Sequence, residues 1–352
     1  MKQACVTRLC AIVICAFIFL AKAQSVVDVH GRLQVDGNNI VGAESNQQVQ
    51  VAGMSFYWTL WGGETYYKTE NVHTLVDDWN CTLVRASMAV ENEGGYIHDQ
   101  NQKGYVTTIV DAAIEKGVYV IIDWHSHHAE QHTSQAVSFF QDMARTYGDY
   151  DNVIYEIYNE PLEVSWSGTI KPYAETVIDA IREIDPDNLI VVGTPTWSQD
   201  VDVAAQDPID DNNVAYTLHF YAGTHGDDLR GKAEAAMNAG KALFITEFGT
   251  THADGGQSDH NVYTNETQVW LDWADQHMIS WANWSVVSGA KLGKIEVSAA
   301  LTGDNLDGLS ESGTWIRNRP RARGGDFTDP QDPNDPNDPN DPNDPNDPND
   351  PN

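Results

Sequence analysis

The chain has 352 residues, of which 52 are acidic and 20 are basic, so its formal net charge is −32. Such an acidic surface is a poor partner for nucleic acid or anionic lipid, because the phosphates of both attract basic surfaces. Residues 24–321 are numerous enough to bury one large core. We therefore expect one globular domain that binds neither nucleic acid nor a membrane.

Residues 1–23 have the pattern of a secretory signal. Lys2 and Arg8 precede an apolar run, residues 11–20, which ends in Ala21-Lys22-Ala23. The run is too short to span a bilayer, which takes about 20 apolar residues. Three of the four cysteines leave with this segment, so only Cys81 remains and no intramolecular disulfide is expected. The sequence predicts a secreted, extracellular protein.

Residues 322–352 are predicted to be a disordered linker. From Asp329 onward the chain repeats Asp-Pro-Asn with little variation. Proline at every third position prevents helix formation, and the like charges extend the chain. A spacer of this kind suggests a further module in a longer chain, and we expect a carbohydrate-binding one.

Between these ends, apolar and β-branched runs alternate with amphipathic helical stretches. Near-continuous apolar strands are typical of a parallel sheet that is covered on both faces. Eight such runs predict an α/β fold, a (β/α)8 barrel. The predicted strands are residues 49–55, 82–86, 118–123, 153–158, 189–193, 214–218, 242–246 and 278–284.

The clearest predicted helices are residues 105–116, 134–147 and 170–184. The segment 26–48, with its turn at Asp36-Gly37-Asn38, predicts a small N-terminal β-hairpin that closes the bottom of the barrel.

Two glutamates are predicted at the rim where barrel active sites lie. Glu160 follows the fourth strand in Asn159-Glu160-Pro161, and Glu247 follows the seventh in Glu247-Phe248-Gly249. Glycosidic cleavage needs one protonated and one ionised carboxyl group. We expect the neighbouring carboxylate to raise the pKa of Glu160 and keep it protonated, while Arg85 and Tyr221 keep Glu247 ionised. The sequence leaves open whether their separation suits a retaining or an inverting mechanism.

Several longer motifs resemble glycoside hydrolase family 5, in particular its bacterial endo-β-1,4-glucanases, and the similarity extends over residues 26–319. The sharpest are Val-Tyr-Val-Ile-Ile-Asp-Trp-His at 118–125, Tyr-Glu-Ile-Tyr-Asn-Glu-Pro at 155–161, Val-Gly-Thr-Pro-Thr-Trp-Ser-Gln-Asp at 192–200, His-Phe-Tyr-Ala-Gly-Thr-His at 219–225 and Trp-Ala-Asn-Trp-Ser at 281–285. The resemblance implies a (β/α)8 barrel that cleaves β-1,4-glucan with retention of configuration, without a metal or other cofactor.

The resemblance also implies roles for individual residues. Glu160 matches the acid/base, Asn159 the group that holds the sugar's 2-hydroxyl, Glu247 the nucleophile, and Arg85 the arginine that positions it. The remaining matches are His125, His219 and Tyr221 as a polar ring around the cleavage point, Trp61, Trp197 and Trp284 as platforms for glucosyl rings, and Lys294 and Glu296 as polar contacts on the non-reducing side. The chain departs from the family pattern at Tyr57, where a histidine is usual, and near Ala89, where a tyrosine is common.

Some features of the sequence are also compatible with functions other than that of an endoglucanase. His125-Ser126-His127-His128 suggests a metal-dependent barrel hydrolase, but that reading leaves both glutamates unexplained. We expect His125 alone to face the cleft, with His127, His128 and His132 in a loop, and Trp79, Trp270 and Trp273 to be structural. A β-mannanase or mixed-linkage β-glucanase is the alternative within the same chemistry, and a non-catalytic carbohydrate-binding protein the alternative outside it. We expect a monomer.

Overall fold

A computed structural model describes residues 24–293 and 296–322, the last two by backbone only. The predicted signal segment, residues 323–352 of the predicted linker and Lys294 therefore lie outside the described residues. Within them, eight parallel strands close into a barrel with helices around it, as predicted. Following the ring from the last strand, the order is β10-β3-β4-β5-β6-β7-β8-β9. The barrel strands are β3 (Ala52–Phe56), β4 (Leu83–Ala89), β5 (Tyr119–His125), β6 (Val153–Glu156), β7 (Ile190–Val192), β8 (Val214–Tyr221), β9 (Leu243–Gly249) and β10 (Trp281–Val286).

Helices cover the outside of this barrel. In α4, for example, Ala136, Phe139, Phe140 and Met143 are buried, and their spacing of three or four residues puts them on one face. All three predicted helices are present, with ends shifted by up to three residues. The α-helices are α1 (Val26–His30), α2 (Thr69–Asp77), α3 (Gln102–Lys116), α4 (Thr133–Tyr147), α5 (Lys171–Arg182), α6 (Pro195–Ser198), α7 (Val201–Gln206), α8 (Asp227–Asn238), α9 (Thr264–Gln276), α10 (Gly289–Leu292) and α11 (Glu311–Ala322).

Short helical turns complete the rim: 3-10 turns at Gly63–Tyr66 and Ala129–His132, and a π-turn at Trp166–Ile170. The segment called α6 is a left-handed turn rather than a normal helix, since Thr196 and Trp197 have φ of 58° and 55°. None of the helices in the described part of the chain has both the length and the apolar character to cross a bilayer.

The predicted N-terminal hairpin is present and closes the bottom of the barrel. Its strands are β1 (Leu33–Asp36) and β2 (Asn39–Gly42), paired antiparallel. Two hydrogen bonds fasten this segment to the starts of barrel strands. The Tyr119 hydroxyl, at the start of β5, donates to Gly31 O just before β1 at 2.6 Å. Val35 N–H, in β1, donates to Asn213 Oδ1 just before β8 at 2.8 Å. The opposite rim is therefore the end of the barrel that stays open to ligands.

The tryptophans that are expected to be structural lie in the hydrophobic core. Trp79, Trp270 and Trp273 are buried, as predicted. Cys81 is buried and carries a free thiol. Because the barrel strands run further towards the open rim than predicted, His125, His219 and Glu247 lie inside strands rather than after them, and β10 continues past Trp284 to Val286.

Candidate active site

Arg85, on β4, is the centre of the floor of the open end. Its side chain is fully buried. Burial opposes its charge, but the adjacent carboxylates outweigh this and raise the pKa of Arg85, so it is a permanent cation. Its guanidinium contacts Glu156 at 2.7 Å, Glu247 at 3.0 Å, Asp123 at 2.9 Å, Asn159 Oδ1 at 2.6 Å and Ser55 at 3.2 Å.

Glu247 is held by two donors, as predicted. Arg85 Nη1 donates to Oε2 at 3.0 Å, and the Tyr221 hydroxyl donates to Oε1 at 2.7 Å. Burial and the negative charge of Glu247 raise the pKa of Tyr221, so the hydroxyl keeps its proton and remains a donor. Both carboxylate oxygens of Glu247 are therefore fixed in place.

Glu160 lies opposite, in the loop after β6, and is held by two imidazoles. His219 Nδ1 lies 2.9 Å from Oε1, and His127 Nε2 lies 3.1 Å from Oε2. The expectation that His127 is only a loop residue is therefore wrong. The signal that identifies it is its place just past β5, where the chain crosses the open rim.

The expected direction of the Glu160 pKa is also wrong. Burial favours the protonated acid, but the hydrogen bonds and positive charge of His127 and His219 outweigh it and lower the pKa of Glu160. The prediction considered only the repulsion between the two glutamates. No pattern in the sequence indicates that the imidazoles of His127 and His219 converge on Glu160.

The two glutamates are brought together across the barrel mouth. A carboxylate oxygen of Glu160, one of Glu247 and a ring nitrogen of His219 all lie within 4.8 Å of one another. Such a set could hold a metal ion, but Arg85 and Tyr221 already bond to the Glu247 oxygens and would compete with it. The separation is short enough for both acids to act on a single bond.

His125 is part of the same floor and is neutral. Burial, and then the charge of Arg85, lower its pKa to about 3. Its Nδ1 contacts Asp123 Oδ2 at 2.7 Å, and its ring stacks on Trp284 with centroids 5.1 Å apart and planes 2° apart. Burial raises the pKa of Asp123 to about 7, although Arg85 opposes the shift.

Asn159 lies beside Glu160 and faces the floor. Because its Oδ1 accepts from Arg85, its amide N–H groups are the ones left for a ligand. This orientation is consistent with the expected contact to a sugar hydroxyl.

Several polar residues of the site are not among the predicted site residues, in particular Asp123, His127, Glu156 and Thr246. Glu156 is a charged residue within the apolar run of β6, and Asp123 is two positions from His125, hence on the same face of β5. Those two patterns are visible in the sequence. Thr246 gave no signal beyond preceding Glu247.

Aromatic side chains line the rim on opposite sides of the acid pair. Trp61 and Trp58 follow β3, and their rings are 4.7 Å apart. Trp197 follows β7, which is four strands away in the ring of eight and therefore across the mouth. Trp61 and Trp197 are 55% and 39% exposed, which suits platforms for a ligand, whereas Trp284 is largely buried beneath His125.

A cleft of about 390 Å³ lies next to Glu160. It is lined by Glu160, Trp197, Gln199, His219, Tyr221, Thr224, His225 and Ala253. Glu296 is not among these lining residues; the Ser298 hydroxyl donates to it, and its charge helps to raise the pKa of Tyr221. Of the predicted site residues, Glu160, Trp197, His219 and Tyr221 share this cleft, and Tyr221 and Arg85 bond to Glu247. At position 57, where the family usually has a histidine, the centroid of the Tyr57 ring lies 5.2 Å from that of the Trp284 ring.

Comparison with known proteins gives a consistent result. Residues 42–289 match the family profile described as Cellulase (glycosyl hydrolase family 5). Endoglucanase Z of Dickeya dadantii is 54% identical over 257 residues, which are 72% of this chain and 59% of that protein. Endoglucanase A of Evansella cellulosilytica is 46% identical over 285 residues, 78% of this chain and 56% of that protein. The chain thus spans little more than half the length of these curated relatives.

Solved structures agree. One from Cytophaga hutchinsonii is 44% identical, with a TM-score of 0.80 over 86% of this chain and 98% of that one. The catalytic domain of Thermobifida fusca endoglucanase Cel5A is 29% identical, with a TM-score of 0.76 over 84% of this chain and 99% of that one. The motifs, the closed barrel and the profile match together establish that this chain belongs to glycosyl hydrolase family 5.

Proposed function

We propose that the protein is a secreted endo-β-1,4-glucanase that hydrolyses internal bonds of cellulose by a retaining double displacement. The observation that carries the mechanism is the distance between Glu160 and Glu247, whose nearest oxygens lie within 4.8 Å of each other. Retaining enzymes have carboxyl groups about 5 to 5.5 Å apart, whereas inverting enzymes need about 6.5 to 9.5 Å to admit a water molecule.

In the first step, Glu247 attacks the anomeric carbon while Glu160 gives its proton to the departing glycosidic oxygen. The attack forms a glycosyl ester on Glu247 and breaks the bond to the leaving sugar. Arg85 and Tyr221 keep the nucleophile oriented and its charge stabilised. In the second step, Glu160 takes a proton from water, whose oxygen displaces Glu247 and restores the enzyme.

A β-1,4-glucan suits the shape and chemistry of this rim. The exposed indoles of Trp61 and Trp197 lie across the mouth from each other, so a chain stacked on both would pass over the acid pair. Cleavage in the middle of such a chain is the endo mode. The names of the relatives, all endoglucanases, support the same substrate class.

Export and modularity are parts of the same proposal. The leader pattern in residues 1–23 supports secretion. The Asp-Pro-Asn tail, together with the greater length of the relatives, supports a carbohydrate-binding module in a longer form of the protein. We propose that the catalytic domain acts as a monomer.

The nucleophile is tested with Glu247→Gln, which keeps the shape of the side chain but cannot form the ester. Release of reducing ends from a soluble cellulose derivative should fall to background. Glu115→Gln, on the exposed surface of α3, is the matched control and should hydrolyse like the wild type. Near wild-type hydrolysis by Glu247→Gln would remove this assignment.

The acid/base is tested with Glu160→Ala and two substrates. Hydrolysis of cello-oligosaccharides should slow by roughly 10²- to 10⁴-fold. A dinitrophenyl cellobioside needs no protonation of its leaving group, so it should still glycosylate the variant, and mass spectrometry should detect the trapped ester. Absence of any trapped intermediate would count against the role of Glu160.

Substrate class is tested with a polysaccharide panel. We expect cellulose derivatives to yield reducing ends faster than β-mannan, and a product profile on defined cello-oligosaccharides to show internal cleavage. Faster release from mannan or from mixed-linkage glucan would favour the alternative enzyme. Loss of activity on chelation would instead favour a metal hydrolase at the Glu160, His219 and Glu247 cluster.

A further inference from the structure

A buried chain of hydrogen bonds runs from Glu160 away from the cleft. His219 contacts Glu160 through Nδ1 at 2.9 Å and Thr246 through Nε2 at 2.9 Å. The Thr246 hydroxyl in turn donates to Glu156 Oε1 at 2.6 Å. Thr246 and Glu156 are fully buried and His219 nearly so. Neither Thr246 nor Glu156 has a part in the two displacement steps.

The chain fixes where the hydrogens lie. Arg85 donates to both oxygens of Glu156, at 2.7 and 3.2 Å, which keeps that carboxyl an acceptor even though burial raises its pKa. A hydroxyl has one hydrogen, and Thr246 gives it to Glu156. Towards His219, the Thr246 oxygen can then only accept a hydrogen bond. Nε2 of His219 must therefore carry a hydrogen and donate it to Thr246.

Glu156 also acts on His219 directly. Its Oε1 lies 3.9 Å from Nε2, and a negative charge at that distance favours a hydrogen on the nitrogen. The Nδ1 to Oε1 contact between His219 and Glu160 then contains one hydrogen, either on the carboxyl or on the imidazolium.

We propose that Thr246, anchored by Glu156, is a positioning residue that fixes the Nε2–H tautomer of His219 and thereby keeps the proton of the acid/base between His219 and Glu160. This inference rests on the proposed function. In the other tautomer, Nδ1–H of a neutral imidazole would point permanently at the Glu160 carboxylate, and the pair would have no proton to donate.

Other charged groups face this pair and influence its titration. They are His127, His225, Tyr221, Arg85, Asp123 and Glu247. Of these, only His127 is hydrogen-bonded to Glu160, at the oxygen away from His219. Substituting Thr246 leaves all of them in place, so its effect can be separated from theirs.

The test is Thr246→Val, which has the same shape but no hydroxyl, with Thr246→Ser as the matched control. In the valine variant, Nε2–H loses the Thr246 oxygen, its one hydrogen-bond acceptor among the described residues, in a buried place. The pair should therefore release its proton at lower pH. The basic limb of kcat/KM for cellotetraose should move down by about one pH unit, which is roughly a tenfold loss above that limb. Thr246→Ser should keep the wild-type limb.

A second substrate separates this role from a general structural one. Glycosylation by a dinitrophenyl cellobioside needs no acid, so its rate should be the same in Thr246→Val and the wild type. Equal losses on both substrates, or an unmoved basic limb, would overturn the inference. If the wild type and Thr246→Ser hydrolysed neither substrate, the proposed function itself would fail.

A measurement on the wild type does not depend on any variant folding. Nitrogen NMR of histidine-labelled protein, with the His219 signals assigned through His219→Gln, should show Nε2 protonated at every pH and Nδ1 as the nitrogen that titrates. The opposite pattern, with Nδ1 permanently protonated, would overturn the inference.

Discussion

The two halves of the active site hold their carboxylates by different means. Glu247 lies inside β9, bonded to the guanidinium of Arg85 and the hydroxyl of Tyr221. Glu160 lies in the loop after β6, bonded to the imidazoles of His127 and His219. The first half is built on a permanent cation, and the second on imidazoles, whose ring nitrogens can both donate and accept a proton.

This difference matches what each carboxylate is proposed to do. A nucleophile must be ionised in every turnover, so a permanent cation is the suitable partner. An acid/base must gain and lose one proton in each cycle, so partners that can share a proton suit it. Substitutions that perturb one half at a time distinguish these two roles.

The largest effect is expected from Arg85→Met. Removing the cation leaves Asp123, Glu156 and Glu247 buried beside one another, which should lower the free energy of unfolding by about 3–5 kcal/mol at pH 7. Burial already raises the pKa values of Asp123 and Glu156 against the opposing charge of Arg85, so without the cation they would lie further above their unfolded values. The loss should therefore shrink as the pH falls and they take up protons. Denaturant unfolding at pH 8 and pH 5 measures both effects.

Arg32→Met is the control for this experiment. Arg32 pairs with Asp151 and Asp187 at 2.8 and 2.7 Å, but its side chain is 24% exposed. Surface pairs contribute little, so the loss should be below about 1 kcal/mol. Similar losses in the two variants would show that the buried cation has no special place in the fold.

Tyr221→Phe should reduce turnover rather than stability. It removes one donor from Glu247 and leaves Arg85 in place, so kcat/KM should fall by about 10- to 100-fold, the value of a hydrogen bond to a charged group. Tyr155→Phe, which removes a similar bond to Asp185 away from the rim, should leave kcat/KM unchanged. Any change in the basic limb of the pH profile would contradict the separation of the two halves.

His127→Ala should affect the other half and shift that limb. The imidazole hydrogen bond helps to lower the pKa of Glu160, so removing it should raise that pKa and move the basic limb of kcat/KM upward. The shift should be below about one pH unit, because the His127 side chain is 42% exposed and solvent screens its charge. A downward shift would indicate that His127 supplies the proton instead of stabilising the charge.

The effect that is smallest at neutral pH is expected from His225, and it concerns how stability depends on pH. His225 accepts from Tyr221 N–H through Nδ1, and burial lowers its pKa to about 4. Between pH 4 and about 6.5 the unfolded chain therefore binds a proton that the folded one does not, so His225 lowers stability as the pH falls through this window. In this pH window, the His225→Asn variant should take up about one proton fewer on unfolding than the wild type. If the pH dependence of the unfolding free energy were the same in His225→Asn and the wild type, His225 would not be neutral in the folded protein.

The barrel was predictable because its strands are continuous apolar runs, and polar residues at their ends are visible in sequence. Glu160 and Glu247 were identified in this way, and so was Arg85. Glu156 and Thr246 were not, because their contacts depend on the register between distant strands. The shift between Thr217 and His219 where β8 meets β9 is one example. Local spacing does not specify which side chains of a closed sheet meet in its interior.

The left-handed turn α6 limits which loops of the open rim can be altered without moving Glu160. Trp197 N–H donates to Pro161 O at 2.8 Å and the Ser198 hydroxyl donates to Asn159 O at 2.7 Å, so this loop is fastened on both sides of Glu160. Left-handed backbone costs non-glycine residues about 1–2 kcal/mol each, and these bonds offset that cost. An insertion or deletion after β7 would pull on the backbone that carries Glu160. Loop grafting aimed at new substrates should therefore spare this loop and start elsewhere on the rim.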